Sequence, residues 1–389
     1  MNIRVFLLAL ASFVAGMAET LTVGILPQLA AGLRVPTELA GQLTSIFSLS
    51  YGLAILPLVA LTGRRERRSL LISAMLVFAL ANGLVLMAAD YLLLLALRVL
   101  MAACCALIAF LCISLAGRLV EPAQRGRAIG VVFMGISGSI VLGIPFGIWL
   151  AEGWGWKAPF LVLAPMALLA AGALHLCLPR LAPEAGPGWN AWRQALFCLP
   201  QLAAQGVSVL LIGGHFVLFT YLAPYVHQRF GLDPAVQSWL FVLFGIGGVS
   251  GGYLGGWLSD RLGHARALLG VPLCFALLMA VLPVVEGGFG AFIVPMMAWA
   301  AFSWSISPVV QNHLAHTYPE QAAVVMALNV SAMHLGVALG AMAGGLVVAA
   351  GQLRYAPWWG AALVGLAWLC ACYALSGVSR AVHAVSRPG

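Results

Sequence analysis

Apolar runs long enough to cross a bilayer recur about twelve times along this chain, and no layered soluble fold absorbs that many. A hydrocarbon core of about 30 Å calls for roughly 20 apolar residues in a helix. The first six runs lie near 5–27, 39–61, 69–88, 91–117, 128–150 and 157–178. The second six lie near 196–226, 235–258, 267–285, 288–314, 321–348 and 355–378. A polar segment rich in proline and glycine, from Pro179 to Asn190, separates the two sets. Charged residues make up 8% of the chain, against about 25% in soluble domains. Strand-length alternation is absent, which excludes an outer-membrane barrel. The fold class is therefore all-α integral membrane, about twelve transmembrane helices in two pseudo-symmetric six-helix bundles. The expected division is an N-terminal bundle over 1–178, a linker over 179–195 and a C-terminal bundle over 196–389.

The first run follows Arg4, as in a secretory leader, but its length, the internal Glu19 and the many spans behind it favour an uncleaved first helix. Arginine placement sets the orientation. Arg4, Arg64, Arg65, Arg67, Arg68, Arg118, Arg125, Arg127, Arg180, Arg193, Arg261, Arg266, Arg380 and Arg387 fall on one side; Arg34, Lys157, Arg229 and Arg354 fall on the other. The positive-inside rule then puts both termini and the linker in the cytoplasm; the expected location is a bacterial inner membrane. The net charge of +8 reads as topology, with no nucleic-acid partner. Lys157 is the sole lysine and has no glycine-rich phosphate loop around it, so a Walker-type nucleotide site cannot be built here. The eight cysteines lie in or beside apolar runs without metal spacing and read as small hydrophobes. No cofactor and no metal are expected.

A charge near the middle of a spanning helix costs roughly 2.5–3.5 kcal/mol on insertion scales, so such a residue faces a partner or a wet cavity. Glu19 lies eight residues inside Pro27, and Arg98 lies eight residues inside Asp90. At the rise of an α-helix both sit about 12 Å from the outer surface. His215, ten residues inside Tyr225, sits about 15 Å deep. These three form a candidate proton-coupling layer. Glu19 would bind and release a proton as the protein changes conformation; the plainer alternative is a permanent Glu19–Arg98 pair that locks two helices together. For Arg98 helix positioning competes with coupling, and for His215 an ordinary interhelical hydrogen bond competes with proton work.

Gln42, Thr44, Ser45, Ser48 and Tyr51 give the second span a polar face suited to a cavity wall or to packing. Phe216, Phe219, Tyr221 and Tyr225 in the seventh span, and Trp299, Phe302 and Trp304 in the tenth, suit an amphipathic substrate, although aromatic packing also explains them. Asn329 and His334 read as interhelical hydrogen-bonders. His313 and His316, three apart at a helix end, read as a solvated end rather than a metal site. Trp154, Trp156, Trp358 and Trp359 read as interfacial belt anchors. The 44 glycines, including Gly143 and Gly147 around Pro145, allow close helix packing that could slide or bend during transport.

Several stretches resemble the major facilitator superfamily. The stretch from Gly256 through Asp260 and Arg261 to Arg266 resembles its cytoplasmic loop signature, Leu97-Arg98-Val99-Leu100 its fourth-helix arginine motif, and Gly143-Ile144-Pro145-Phe146-Gly147 its antiporter signature. Ala18-Glu19 with Gly24-Ile25-Leu26-Pro27, Ala40-Gly41-Gln42-Leu43, Thr220-Tyr221-Leu222-Ala223-Pro224-Tyr225 and the stretch from Asn329 to Gly336 resemble the drug/proton antiporter branch that includes arabinose-efflux-permease-like exporters. The resemblance implies proton-coupled export, with Glu19 in coupling or substrate binding, Arg98 in proton exchange, and Asp260 and Arg261 stabilising one conformation. Precedent in the family points to a monomer. The loop after the second span departs from the pattern: Thr62 to Arg68 holds no aspartate, and either Glu66 or nothing replaces that latch.

The combined expectation is a carrier, not an enzyme, whose partners are protons, a small-molecule substrate and the lipid bilayer. It would export drugs or other amphipathic compounds by alternating access. A specific sugar or metabolite exporter and an uncoupled facilitator are the alternatives. The proposed substrate contacts are Gln42, Ser45, Tyr51, Phe216, Phe219, Tyr221, Trp299, Trp304 and Asn329.

Overall fold

Proline decides where the first helix stops. A proline ring removes one backbone donor and clashes with the carbonyl four residues earlier. Pro27 lies at the start of α2 (Leu26–Leu33), and α1 (Ile3–Gly24) ends just before it, with Ile25 between them. The run 5–27, expected as one helix, is thus two. The same happens in the run 196–226, where α9 (Leu199–Phe219) gives way at Thr220 and Tyr221 to α10 (Leu222–Phe230), which carries Pro224 in its first turn.

The computed structural model describes residues 3–62, 65–121, 124–181, 183, 189–285 and 288–385. Arg64, Arg387 and residues 182 and 184–188 of the expected linker lie outside them, as does the side chain of Arg380. The other helices are α3 (Thr37–Thr62), α4 (Arg67–Gly83), α5 (Tyr91–Arg118), α6 (Arg125–Trp154), α7 (Ala158–Cys177), α8 (Trp189–Leu196), α11 (Pro234–Leu262), α12 (His264–Val281), α13 (Gly288–Thr317), α14 (Ala322–Ala349) and α15 (Ala356–Val385). Every regular element among the described residues is helical, and twelve of the described helices are long and apolar enough to cross a membrane. The short helix α8 occupies the end of the segment read as a polar linker.

The chain divides into two units. The first comprises Met1–Gly186 and Tyr221–Val242, and the second Pro187–Thr220 and Leu243–Gly389. In the first unit α1 packs on α5, α6 and α7, while α4 lies against α5 and α7. In the second, α9 packs on α13, α14 and α15, and α12 on α13 and α15. Glycine makes the tightest crossings possible. A Cβ on Gly135 of α6 would strike the Ala9 carbonyl of α1, and one on Gly340 of α14 would strike the Gly213 backbone of α9. At both places backbones touch without intervening side chains, as in membrane bundles generally.

Candidate functional site

The first unit holds a buried arginine on a well-started helix. Asp90 caps α5 by accepting the Leu93 amide at 2.8 Å, and Arg98 follows two turns on, fully buried. Its Nη1 donates to the Ala18 carbonyl, its Nη2 to Thr22 Oγ1 at 3.4 Å and its Nε to the Leu43 carbonyl at 3.4 Å. The guanidinium face lies over the Phe47 ring, 4.0 Å from the centroid. Thr22 Oγ1 also meets Thr44 Oγ1 at 3.2 Å, which ties α1 to α3 beside the arginine. Planar geometry with donors along the edge and an apolar face is what this pocket matches, and a lysine could not fill it.

Glu19 is the next residue on α1 after Ala18, and it is half-buried. Its carboxyl lies in the electrostatic field of Arg98, and the hydroxyl of Tyr51 lies in that of Glu19. The structure therefore brings Glu19, Arg98 and Tyr51 together around the buried face of α3. Ser45 is buried on the same helix, whereas Gln42 is half-exposed and donates to the Glu38 carbonyl of its own helix at 3.4 Å.

His215 belongs to the second unit, in an aromatic cluster. Its ring stacks on Phe219 at 4.9 Å between centroids and meets Phe216 at 5.0 Å, Trp299 at 5.3 Å and Phe244 at 5.8 Å. Trp299, Phe219 and Phe244 are buried, and Phe216 is half-exposed. Asn329, also buried, donates to Gln205 Oε1 and Ser208 Oγ, both at 2.9 Å, joining α14 to α9. Trp304 packs on the bare face of Gly248. Tyr221 is grouped with the first unit, where its hydroxyl donates to the Glu38 carbonyl at 3.4 Å and its ring fills the space left by Gly41.

The other residues expected to have a conformational role lie on α6 and at the end of α11, and Glu66 lies just before α4. On α6, Gly143 packs on Met17, whose Cγ lies 3.1 Å from where a Cβ would be, and Gly147 packs on Leu21 of α1; Pro145 lies between them inside the helix. Asp260 and Arg261 are exposed at the end of α11, with Arg261 over the Trp257 ring at 5.5 Å. Glu66 occupies the N-cap of α4. Its carboxylate accepts the amides of Arg68 and Ser69 at 2.9 and 2.8 Å and that of Leu181 at 2.9 Å. The Arg67 amide returns a hydrogen bond to the Leu181 carbonyl at 3.2 Å. Partial burial pushes the Glu66 carboxyl up, but these hydrogen bonds outweigh it and hold the group down at about 2.

Phe47, Thr22 and Phe244 escaped the sequence reading. Phe47 had a signal: it lies three residues after Thr44 and four before Tyr51, on the face already singled out on the second span.

The family model described as Major Facilitator Superfamily matches residues 8–202 and 205–388. The chain belongs to the major facilitator superfamily. Among superfamily relatives, the chain is 31% identical over 360 residues to the uncharacterized MFS-type transporter YbcL of Bacillus subtilis (strain 168), covering 92% of each chain. It is 31% identical over 370 residues to the inner membrane transport protein YdhP of Escherichia coli (strain K12), covering 95% of each. Among solved superfamily folds, a bacterial homolog of the human lysosomal transporter Spinster superposes with a TM-score of 0.77 at 19% identity, over 97% of this chain and 96% of that one. The E. coli fucose:proton symporter FucP gives 0.66 at 15% identity, over 96% and 98%. Membership makes the chain a multi-pass membrane transporter of small molecules that works by alternating access.

Proposed function

We propose that the protein is a proton-coupled exporter of small organic molecules, seated in a bacterial inner membrane with both termini cytoplasmic. One observation carries the reading: a half-buried carboxyl on α1 stands next to the residue whose carbonyl holds a fully buried arginine. Carbonyls, a hydroxyl and a ring position Arg98, and in this reading it keeps its place as Glu19 gains and loses a proton. Its charge is then a fixed field against which Glu19 loads and unloads. An intramembrane acid in such a setting is a functional group by default.

Gln42, Ser45 and Tyr51 in the first unit, and His215, Phe216 and Trp299 in the second, are the proposed substrate and proton contacts. Aromatic faces with a few polar atoms suit amphipathic compounds. Similarity to an inner membrane transport protein of E. coli supports the location, and the arginine asymmetry supports the orientation. The protein works as a monomer in this reading.

The test uses everted membrane vesicles with an imposed pH gradient. Cationic drugs, neutral antibiotics, sugars and nucleosides are added in turn, and dissipation of the gradient is followed for wild type and Glu19→Gln. A compound that dissipates the gradient in wild type and not in the variant supports the reading. Transport of labelled compound without proton movement in both would establish a facilitator instead.

A further inference from the structure

Two arginines from different helices reach the same end of α7, which packs on both α1 and α4 in the first unit. Arg4, in the first turn of α1, donates through Nε to the Cys177 carbonyl at 2.9 Å. Arg68, in the first turn of α4, donates through Nη2 to the His175 carbonyl. The last carbonyls of a helix lack partners of their own and carry its negative dipole end, so cations gather there. The surface around this pair asks for more. Residues two apart are turned by about 200° on an α-helix, so Leu176 stands between the two carbonyls. It is 84% exposed. Leu169, two turns back on the same face, is 74% exposed, and Pro165 is exposed one turn further on. Gly172, between the two leucines, has open space where its Cβ would point. Pro165, Leu169, Gly172 and Leu176 thus form one outward stripe of a spanning helix, notched at the glycine and headed by two guanidiniums.

We propose that this face binds one anionic glycerophospholipid of the membrane, its phosphate between Arg4 and Arg68 and an acyl chain along the stripe at Gly172. A guanidinium presents five N–H donors in a fork that matches phosphate, and each of these carbonyls takes one of them. Both carbonyls are neutral and leave the positive charge uncancelled. Arg180, exposed three residues beyond α7, adds to it. The acid at this end is Glu66, whose carboxylate already accepts the amides of Arg68, Ser69 and Leu181. Basic pockets at the cytoplasmic ends of spanning helices suit anionic headgroups. A zwitterionic headgroup brings its own cation against the arginines, so phosphatidylglycerol is preferred to phosphatidylcholine. The proposal is independent of which compound the protein moves and of proton coupling.

Native mass spectrometry is run on the delipidated full-length protein in detergent, with phosphatidylglycerol, phosphatidylcholine or glycerol 1-phosphate added. Wild type binds one phosphatidylglycerol more tightly than phosphatidylcholine, and glycerol 1-phosphate does not displace it. Arg4→Gln/Arg68→Gln binds phosphatidylglycerol roughly thirtyfold more weakly, the scale for two basic residues at a membrane surface. Gly172→Leu keeps both arginines, fills the notch at an open position and also weakens binding. Arg125→Gln/Arg127→Gln removes the same charge from exposed positions of α6 and binds like wild type. Equal affinity of wild type for the two lipids, undiminished binding in Arg4→Gln/Arg68→Gln or in Gly172→Leu, an equal loss in the α6 variant, or displacement by glycerol 1-phosphate overturns the proposal.

Discussion

The guanidinium of Arg98 lies flat on the Phe47 ring, 4.0 Å from its centroid, while the edge of the same group donates to Ala18, Thr22 and Leu43. Face and edge are satisfied by different chemistry, and the named acceptors are neutral. Arg98→Lys keeps a positive charge but cannot reach these acceptors together. It is expected to lower stability by about 2 kcal/mol or more, the scale of a lost charged hydrogen bond. Phe47→Leu removes only the ring face and should cost about 0.5–2 kcal/mol. Thermal unfolding in detergent checks both, and a lysine variant as stable as wild type would show that the fork geometry is not needed.

Glu66 predicts an acid-sensitive contribution to stability. The folded group sits at about 2 against an ordinary 4.5. Its contribution is therefore fully present above pH of about 4.5 and disappears as pH falls toward about 2. Glu66→Ala also removes the cap of α4 and should cost about 1 kcal/mol at neutral pH. Melting curves recorded between pH 3 and 7 should draw closer for wild type and variant toward the acid end without meeting, since the folded group is still largely ionised at pH 3. A gap that stays constant with pH would refute the capping role.

The spans themselves were legible because hydropathy alone marks them, and Glu19 and Arg98 could be set at one depth by counting residues from helix ends. The partners of Arg98 were not legible. Two of them are backbone carbonyls, of Ala18 and Leu43, and no side chain announces which carbonyl an arginine will use. The break at Ile25 was half visible: Pro27 was plain, but apolar residues on both sides made the run look continuous. His264 meets His313 only because α12 and α13 pack together, and periodicity within either helix cannot report that.

Backbone contact at Gly340 predicts a position-specific cost. A methyl there meets the Gly213 backbone, so Gly340→Ala forces α14 away from α9 and should destabilise by about 1–3 kcal/mol. Gly126 of α6 has open space where its Cβ would point, and Gly126→Ala should be neutral or slightly stabilising. Detergent melting temperatures of the two variants measure the difference. Equal effects would mean that the α9–α14 crossing does not depend on backbone contact at Gly340.

The most direct test of proton coupling through Glu19 uses purified protein in liposomes. A labelled compound identified by the vesicle screen is supplied outside, and an imposed proton gradient drives its accumulation. Wild type should accumulate it, whereas Glu19→Gln should not, while still exchanging internal for external label in the absence of a gradient. Gradient-driven accumulation by Glu19→Gln equal to that of wild type would contradict the assignment of the proton to Glu19.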